Sequence, residues 1–382
     1  MIRVAIVGQG LVALHFEVGL EKLKNGEIPD YGVPLRNNLP YKYSDIEIVA
    51  TYDVDDSKVG KSVYELAKRD YNGPGPIPGK LKDLVVRRGI HLGSLKGMPL
   101  KAHGREEQVG LEQAVYELVD EWRQLNVDVI VNIMTTEPVE PVNNVEHLHE
   151  RFKSGDLTAS QAYAYAGAVY SAKYKSSAFI NAIPSPLAND KAFVELYKQS
   201  RGVILGDDGA TGATPLTADL LEHLYQRNRR VIDIAQFNIG GNTDFYSLTL
   251  PERNVMKTKT KSSMIKDILG YSVPNYIRPT GYLEPLGDKK FVAMIIEYMS
   301  FGEFKDELYI IMRINDSPAL AGLLVDLVRL GKLAVEKGYY GTAYEVNAFY
   351  MKRPGPPGSK AISKVKAYDL LLKWVGIKDP RD

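Results

Sequence analysis

The chain has no cysteine, which excludes disulfides, thiolate nucleophiles and cysteine-ligated zinc. Net charge is nearly absent as well: 48 Lys and Arg stand against 47 Asp and Glu, a balance of +1. Such a chain has no global field to attract nucleic acid or an acidic membrane, so any anion must be caught by a local group of residues. Long apolar runs are missing, and the opening M-I-R-V-A-I-V-G reads as a charged strand rather than a signal peptide. The expectation is a cytoplasmic enzyme of small molecules, with no nucleic-acid and no membrane partner. Histidine is scarce, at 6 residues, and poorly placed for catalysis. His15 falls in the first helix, where packing is expected, and His147-x-His149 lies in a polar, helix-like stretch. What is present, over 382 residues with 45% hydrophobic and 25% charged, is enough apolar material for two domains.

Ile2–Val7 is a compact apolar run of the kind that forms a buried parallel strand. Gly8-Gln9-Gly10 turns it into a helix over Leu11–Leu23, giving G-x-G-x-x-A with Ala13 in the third small position. Glycines there let the backbone approach a pyrophosphate, which rests on the free N–H groups of the helix start. Gly8, Gly10, Leu11 and Val12 are therefore candidate cofactor residues. A second strand, Ile46–Tyr52, ends in Asp53, where an acid would bind a ribose 2′-hydroxyl and repel a 2′-phosphate. An insertion over about 26–44 lengthens the usual spacing. Residues 73–99, rich in Pro, Gly and basic side chains, read as an excursion from the core. A helix near Leu111–Leu125, a strand over Val127–Met134 followed by Thr135, a helix over Ala159–Tyr174 and a strand over Ala178–Ile183 continue the alternation. This is the doubly wound pattern with a parallel sheet.

After Gly202 the texture changes. Val203–Leu205 is a short strand, and Pro215 opens a helix to about Tyr225, with Thr214 suited to cap it. Val231–Ile239, Phe245–Leu250, Phe291–Phe301 and Glu307–Ile314 read as strands, which predicts an antiparallel sheet whose exposed face suits an oligomer interface. From Asp316, N-D-S-P supplies an N-cap and a proline at the first helical position of a long helix, and a last helix covers about Ser363–Trp374.

The chemistry concentrates in G-D-D-G-A-T-G-A-T (206–214), G-G-N-T-D-F (240–245), K-T-K-T-K-S-S (257–263), G-D-K-K (287–290) and N-D-S-P (315–318). The first block ends a strand and enters a helix, so its N–H groups and threonine hydroxyls form a candidate phosphate cradle. Alternating Lys257, Lys259 and Lys261 would in isolation read as a solvated strand edge. Acids at Asp208, Asp244 and Asp316 give them a different company.

These blocks, with N-D-S-P-A-L-A-G-L-L-V-D-L, resemble the myo-inositol-1-phosphate synthase (inositol-3-phosphate synthase) family in its short archaeal and bacterial form. The likeness is specific over about 203–335. It implies a homotetramer that cyclises D-glucose 6-phosphate to myo-inositol 1(3)-phosphate with NAD. C5 is oxidised, the ketone acidifies C6, the enol or enolate closes on the C1 aldehyde, and the ring ketone is reduced again without net redox change. Ammonium groups stabilise the developing oxyanions and relay protons. Crowded lysines lower one another's pKa, while carboxylates oppose this and hold their rotamers.

On the family pattern the catalytic set is Lys257, Lys261, Lys290, Lys364, Asp208, Asp244 and Asp316, with Lys352 and Lys366 as alternatives to Lys364. Asp208 and Asp244 also join Gly8, Gly10, Leu11, Val12, Asp53 and Thr135 around the cofactor. Thr211, Gly212, Ala213, Thr214 and Lys261 hold the substrate phosphate. The likeness to archaeal forms implies a divalent metal as helper. The expected architecture is an α/β Rossmann-type domain over 1–200, an inserted α+β catalytic and tetramerisation domain with an antiparallel sheet over 201–314, and C-terminal helices over 315–382 returning to the first domain. The rival is an NAD-dependent sugar-phosphate or polyol dehydrogenase.

Overall fold

The computed structural model of the chain describes residues 1–379, except for the side chains of 255–263. Strands and helices alternate through the first half. They are β1 (Ile2–Val7), α1 (Leu11–Lys24), β2 (Ile46–Asp53), α2 (Val63–Asp70), β3 (Val86–Arg88), α3 (Glu106–Val109), α4 (Leu111–Gln124), β4 (Val129–Asn132), α5 (Val145–Ser154), α6 (Ala159–Lys173), β5 (Ala178–Asn181), α7 (Lys191–Gln199) and β6 (Val203–Gly206). The six strands pair in parallel in the order β3-β2-β1-β4-β5-β6. Strand order reverses between β1 and β4, and a Rossmann-type sheet opens its ligand crevice at the carboxyl ends of the strands at that point.

β1, β4, β5 and β6 are covered on both faces, which is why they read as short continuous apolar runs. One face carries α1 and α11 (Asp316–Glu336), with Val4, Ile6, Phe16, Leu324 and Val328 in a single core. The other carries α4, α6 and α7, with Trp122, Tyr163, Phe179 and Tyr197. α6 is buried on nearly all sides and built largely of alanine, as a helix wedged between layers must be. The insertion at 26–44 is pinned to α11: Asp326 accepts the N–H of Leu35 at 2.8 Å, and Arg329 donates to the carbonyl of Arg36 at 2.7 Å. The expected excursion at 73–99 requires a correction. Its residues Val86–Arg88 form β3 beside β2, with Val86 opposite Thr51, a strand too short to register as an alternating pattern.

The second half opens with α8 (Thr214–Gln226), β7 (Arg230–Gly240), α9 (Thr243–Ser247), α10 (Pro251–Leu269), β8 (Asn275–Tyr282), β9 (Lys289–Met299) and β10 (Lys305–Asn315). Then come α11, α12 (Tyr344–Tyr350) and α13 (Lys364–Val375). The second sheet runs β10-β9-β7-β8. It is mixed rather than purely antiparallel, because β8 lies parallel to β7 while β9 is antiparallel to both β7 and β10. Phe245–Leu250, expected as a strand, is instead α9 and the lead into α10. The Asn242 side chain accepts the Phe245 N–H at 3.0 Å and starts a helix there.

The K-x-K-x-K run lies on α10 and not on a strand edge. Ala213, not Thr214, takes the N-cap of α8, without a side-chain cap bond. Likewise Asn315 heads α11 without such a bond, and Pro318 is its third residue rather than its first. α8 and α10 cover one face of the second sheet around Leu221, Ile265, Met294 and Ile296. Its other face carries the exposed side chains of Phe237, Tyr309 and Ile311.

Candidate active site

One cleft lies along the carboxyl ends of β1, β2, β4, β5 and β6. Its wall includes Gly8, Gly10, Leu11, Val12, Asp53, Thr135, Asp208 and Asp244, all eight of the expected cofactor residues. At the glycine turn Gly8 has φ of +98°, and a Cβ there would sit 2.5 Å from the Cα of Met134. Only glycine fits that turn. Gly10 heads α1 without a side-chain cap and faces open space, which leaves the helix start free to receive a phosphate. Asp53 closes the far end. Its carboxylate accepts the N–H groups of Gln9 at 2.8 Å, Val54 at 2.7 Å and Asp55 at 2.9 Å. Lys58 lies 3.2 Å from it. A dinucleotide fits this set: a glycine cradle a Cβ would fill, an uncapped helix, and an acid at the tip of the second strand.

Below the turn, Gln9 is held by Thr51 and by Glu17, the latter at 2.7 Å. Glu17 is fully buried, and desolvation lifts its carboxyl to about 8.

The other end of the cleft gathers acids and ammonium groups. Asp208, at the end of β6, has its Oδ1 2.8 Å from Nζ of Lys352. Asp316, at the start of α11, accepts from Lys290 at 3.0 Å and from the Thr211 hydroxyl at 3.2 Å. Asp244 on α9 accepts from the Thr136 hydroxyl at 3.2 Å. Lys290 and Lys352 are both buried, and a buried ammonium needs such a carboxylate partner. Asp288 ties three of the sequence blocks together. It accepts from Asn242 Nδ2 at 2.9 Å, from the Ser317 N–H at 2.9 Å and from the Ser317 hydroxyl at 2.7 Å.

Of the expected phosphate residues, Thr211 lines the cleft. Gly212, with φ of +70°, leaves room for Lys290, whose Nζ would lie 2.6 Å from a Cβ there. Ala213 and Thr214 carry the chain into α8. Lys257 and Lys261 belong to α10, and their side chains lie outside the described residues.

Lys364 lies behind Lys352, close enough for the two ammonium charges to interact. It is not in the cleft wall, and its Nζ donates to the carbonyls of Ala348 at 2.6 Å and Met351 at 2.8 Å. Burial lowers its pKa to about 7, and a neutral amine still has two N–H donors for those two carbonyls. Lys352 lines the cleft, while Lys366 pairs with Glu222 at 2.7 Å with its side chain largely exposed. The neighbour Asp207 is structural. Fully buried, it accepts from Asn181, Leu187, Ala188 and Asn189 and anchors the 187–189 turn.

His15 lies tilted against Tyr71 with ring centroids 4.8 Å apart, His149 bonds the Tyr165 hydroxyl at 2.8 Å, and His147 is exposed. Among the described residues, His91, Glu106 and Glu107 form the one group whose spacing suits a metal ion. None of them is in the cleft wall, and Glu106 accepts the N–H groups of His91 and Leu92 as a loop clip. The metal implied by the resemblance thus finds no such set in the cleft among the described residues.

Comparison with known proteins fits this geometry. Residues 212–317 match the family model for myo-inositol-1-phosphate synthase. The inositol-3-phosphate synthase of Corynebacterium glutamicum is 30% identical over 370 residues, covering 92% of this chain and 93% of that protein. The chain belongs to the inositol-3-phosphate synthase family. The Mycobacterium tuberculosis synthase is 28% identical over 364 residues. A crystal structure of a myo-inositol-1-phosphate synthase-related protein from Thermotoga maritima superimposes with a TM-score of 0.93, 54% identity and 99% coverage of both chains. Inositol-3-phosphate synthase from Caenorhabditis elegans, at 16% identity, shares the fold with a TM-score of 0.81, covering 100% of this chain and 87% of that one.

Within this family fold, sequence reasoning missed Asp288, Asn242 and Ser317 as the joints of the site, although all three lie inside the quoted blocks. It also missed Ser94 and Leu95, which reach the cleft from the supposed excursion, and Leu100 just beyond it. A run of Pro and Gly carries no local signal of where it folds back.

Proposed function

We propose that the chain converts D-glucose 6-phosphate into myo-inositol 1(3)-phosphate, an intramolecular cyclisation without net redox change. The observation that carries this reading is the meeting of two lysine–carboxylate pairs, Lys352–Asp208 and Lys290–Asp316, with Asp244 at one end of a dinucleotide cleft. NAD bound in that cleft would supply a reversible two-electron oxidation at C5. The chain's own residues do the rest. Gly8, Gly10 and the N–H groups of Leu11 and Val12 take the pyrophosphate, and Asp53 faces the adenosine ribose.

Lys290 and Lys352 place positive charge where the C5 ketone, the enolate and the C1 alkoxide develop negative charge. Asp316 and Asp208 orient them toward the oxygens that receive a proton. Lys257 and Lys261 on α10 complete the lysine set, and Lys352 takes the fourth place for which Lys364 was expected. The phosphate rests against Thr211 and the start of α8, whose uncapped N–H groups suit an anion, and the family pattern adds Lys261 to this set.

The division into a cofactor domain (1–200), a catalytic and tetramerisation domain (201–314) and returning helices (315–382) belongs to the same reading, as does a cytoplasmic location. The tetramer is supported by the exposed face of the second sheet. Ile311, Ala293 and Phe237 lie in one cross-strand row, and Tyr309, Ile295 and Ala235 in the next. Ile311 and Tyr309 are 74% and 67% exposed, an apolar surface that a monomer would leave in water.

The test is incubation with glucose 6-phosphate and catalytic NAD, following product by phosphorus NMR and NADH by absorbance. Inositol phosphate without NADH accumulation is the expected result. Stoichiometric NADH would overturn it in favour of a dehydrogenase.

A further inference from the structure

Arg253 sits in the first turn of α10 and is only 4% exposed. Among the described residues, its guanidinium makes no salt bridge with a neighbouring side chain. It donates instead to three main-chain carbonyls on two separate segments: Thr136 after β4, and Ser94 at 2.7 Å and Lys96 at 3.2 Å after β3. Ser94 and Thr136 both line the cofactor cleft. Leu250, at the N-cap of the same helix, packs on the same loop, where a Cβ on Gly97 would come within 3.1 Å of it. Burial lowers the pKa of Arg253, and the carboxylates of Glu137, Asp244 and Glu252 offset only part of that cost; Asp244 is itself bonded to the Thr136 hydroxyl. A planar fork with five donors holds carbonyls on two loops in a fixed relative geometry, whereas an ammonium on a flexible stem is a point charge with three rotatable donors.

Along α10, Lys257 begins one turn beyond Arg253 and Lys261 two turns beyond, about 6 and 12 Å of helix rise. The arginine therefore sits where the lysine-bearing helix is fixed to the cofactor wall.

We propose that Arg253 is a positioning residue for the reaction. It clamps the start of α10 to the two loops that line the dinucleotide cleft, and so sets the distance between the lysines of that helix and the reacting end of the cofactor. A misplacement of about 1 Å at such a fulcrum is enough to cost about a hundredfold in rate. The inference rests on the proposed cyclisation for its turnover arm only. The cofactor-binding and exchange arms stand without it.

The experiment compares wild type, R253Q and R253K in three measurements: NAD affinity by fluorescence, inositol phosphate turnover, and backbone amide exchange of the NAD-bound protein. For R253Q the expected result is NAD affinity within a few-fold of wild type, kcat lower by about a hundredfold, and faster exchange confined to the first turns of α10, with β1 and β4 unchanged. R253K, which keeps the charge but loses the fork, is expected to retain NAD binding with kcat lowered about tenfold. It carries the test if R253Q does not fold.

Wild-type exchange in α10 with either folded variant overturns the proposal, as does wild-type kcat. Loss of protection spread evenly over the sheet overturns it as well, since that marks a merely structural arginine. Should wild-type protein yield no inositol phosphate, the proposed function fails while the exchange comparison still decides the role of Arg253.

Discussion

Lys352 and Asp208 are joined twice. The ammonium lies 2.8 Å from the carboxylate Oδ1, and the Lys352 N–H donates to the Asp208 carbonyl at 2.6 Å. The contact brings a residue from the C-terminal segment to the end of β6 and presents it to the cleft. Lys352→Met is therefore expected to lower kcat by about a hundred- to a thousandfold, the loss typical of removing one stabiliser of a developing oxyanion. NAD affinity should stay within a few-fold. Lys366→Met, which breaks only a largely exposed pair with Glu222, should leave turnover unchanged. Steady-state kinetics with a separate NAD titration checks both, and a fully active Lys352→Met enzyme would remove this lysine from the site.

Lys364 gives a prediction about stability. Its pKa falls from 10.5 in the ordinary state to about 7 in the fold, chiefly through burial. Between those values the unfolded chain binds the extra proton, so the folded state gains stability as pH rises through the window from 7 to 10.5 and carries the full penalty below it. Urea unfolding of wild type and Lys364→Met at about pH 7 and about pH 9 should show wild type gaining on the variant at the higher pH. A constant difference would mean that Lys364 is charged in the fold at both values.

Gly8→Ala tests the cofactor turn. The new methyl would meet the Cα of Met134 at 2.5 Å and force a left-handed residue with φ of +98° to carry a side chain. Backbone strain of this kind costs on the order of 1–3 kcal/mol before the clash is counted. The expected outcome is a lower Tm together with NAD affinity reduced at least tenfold, measured by calorimetry and fluorescence titration. Retained affinity would show that the pyrophosphate lies elsewhere.

The exposed sheet face gives the last. Ile311→Glu places a charge in the middle of the Ile311–Ala293–Phe237 row, at a position a monomer leaves 74% exposed. If the row is an interface, the buried charge has no partner and the assembly falls apart, since an unpaired buried charge costs several kcal/mol. Light scattering after size exclusion should report a tetramer for wild type and a smaller species for the variant. Identical masses would leave this face outside the interface.

Where a feature is encoded within a few adjacent residues, the sequence alone determined it. β1, the glycine turn and α1 follow from an apolar run, two glycines and a helical spacing, each local. The blocks carrying Asp208, Asp244, Lys290 and Asp316 were legible because their residue types are unusual together. Tertiary structure decided the rest. Val86–Arg88 becomes a strand only because β2 offers an edge to it. β8 runs parallel to β7 because α9 and α10 carry the chain back across the sheet. Most plainly, Lys352 and Lys364 stand 12 positions apart in a segment where both are lysines near a helix, and no local pattern separates them. What separates them is a carboxylate 144 residues away for one and two carbonyls of its own segment for the other. A buried ammonium must find whichever acceptor the packed chain brings to it, and that choice exists only once the distant strands have met.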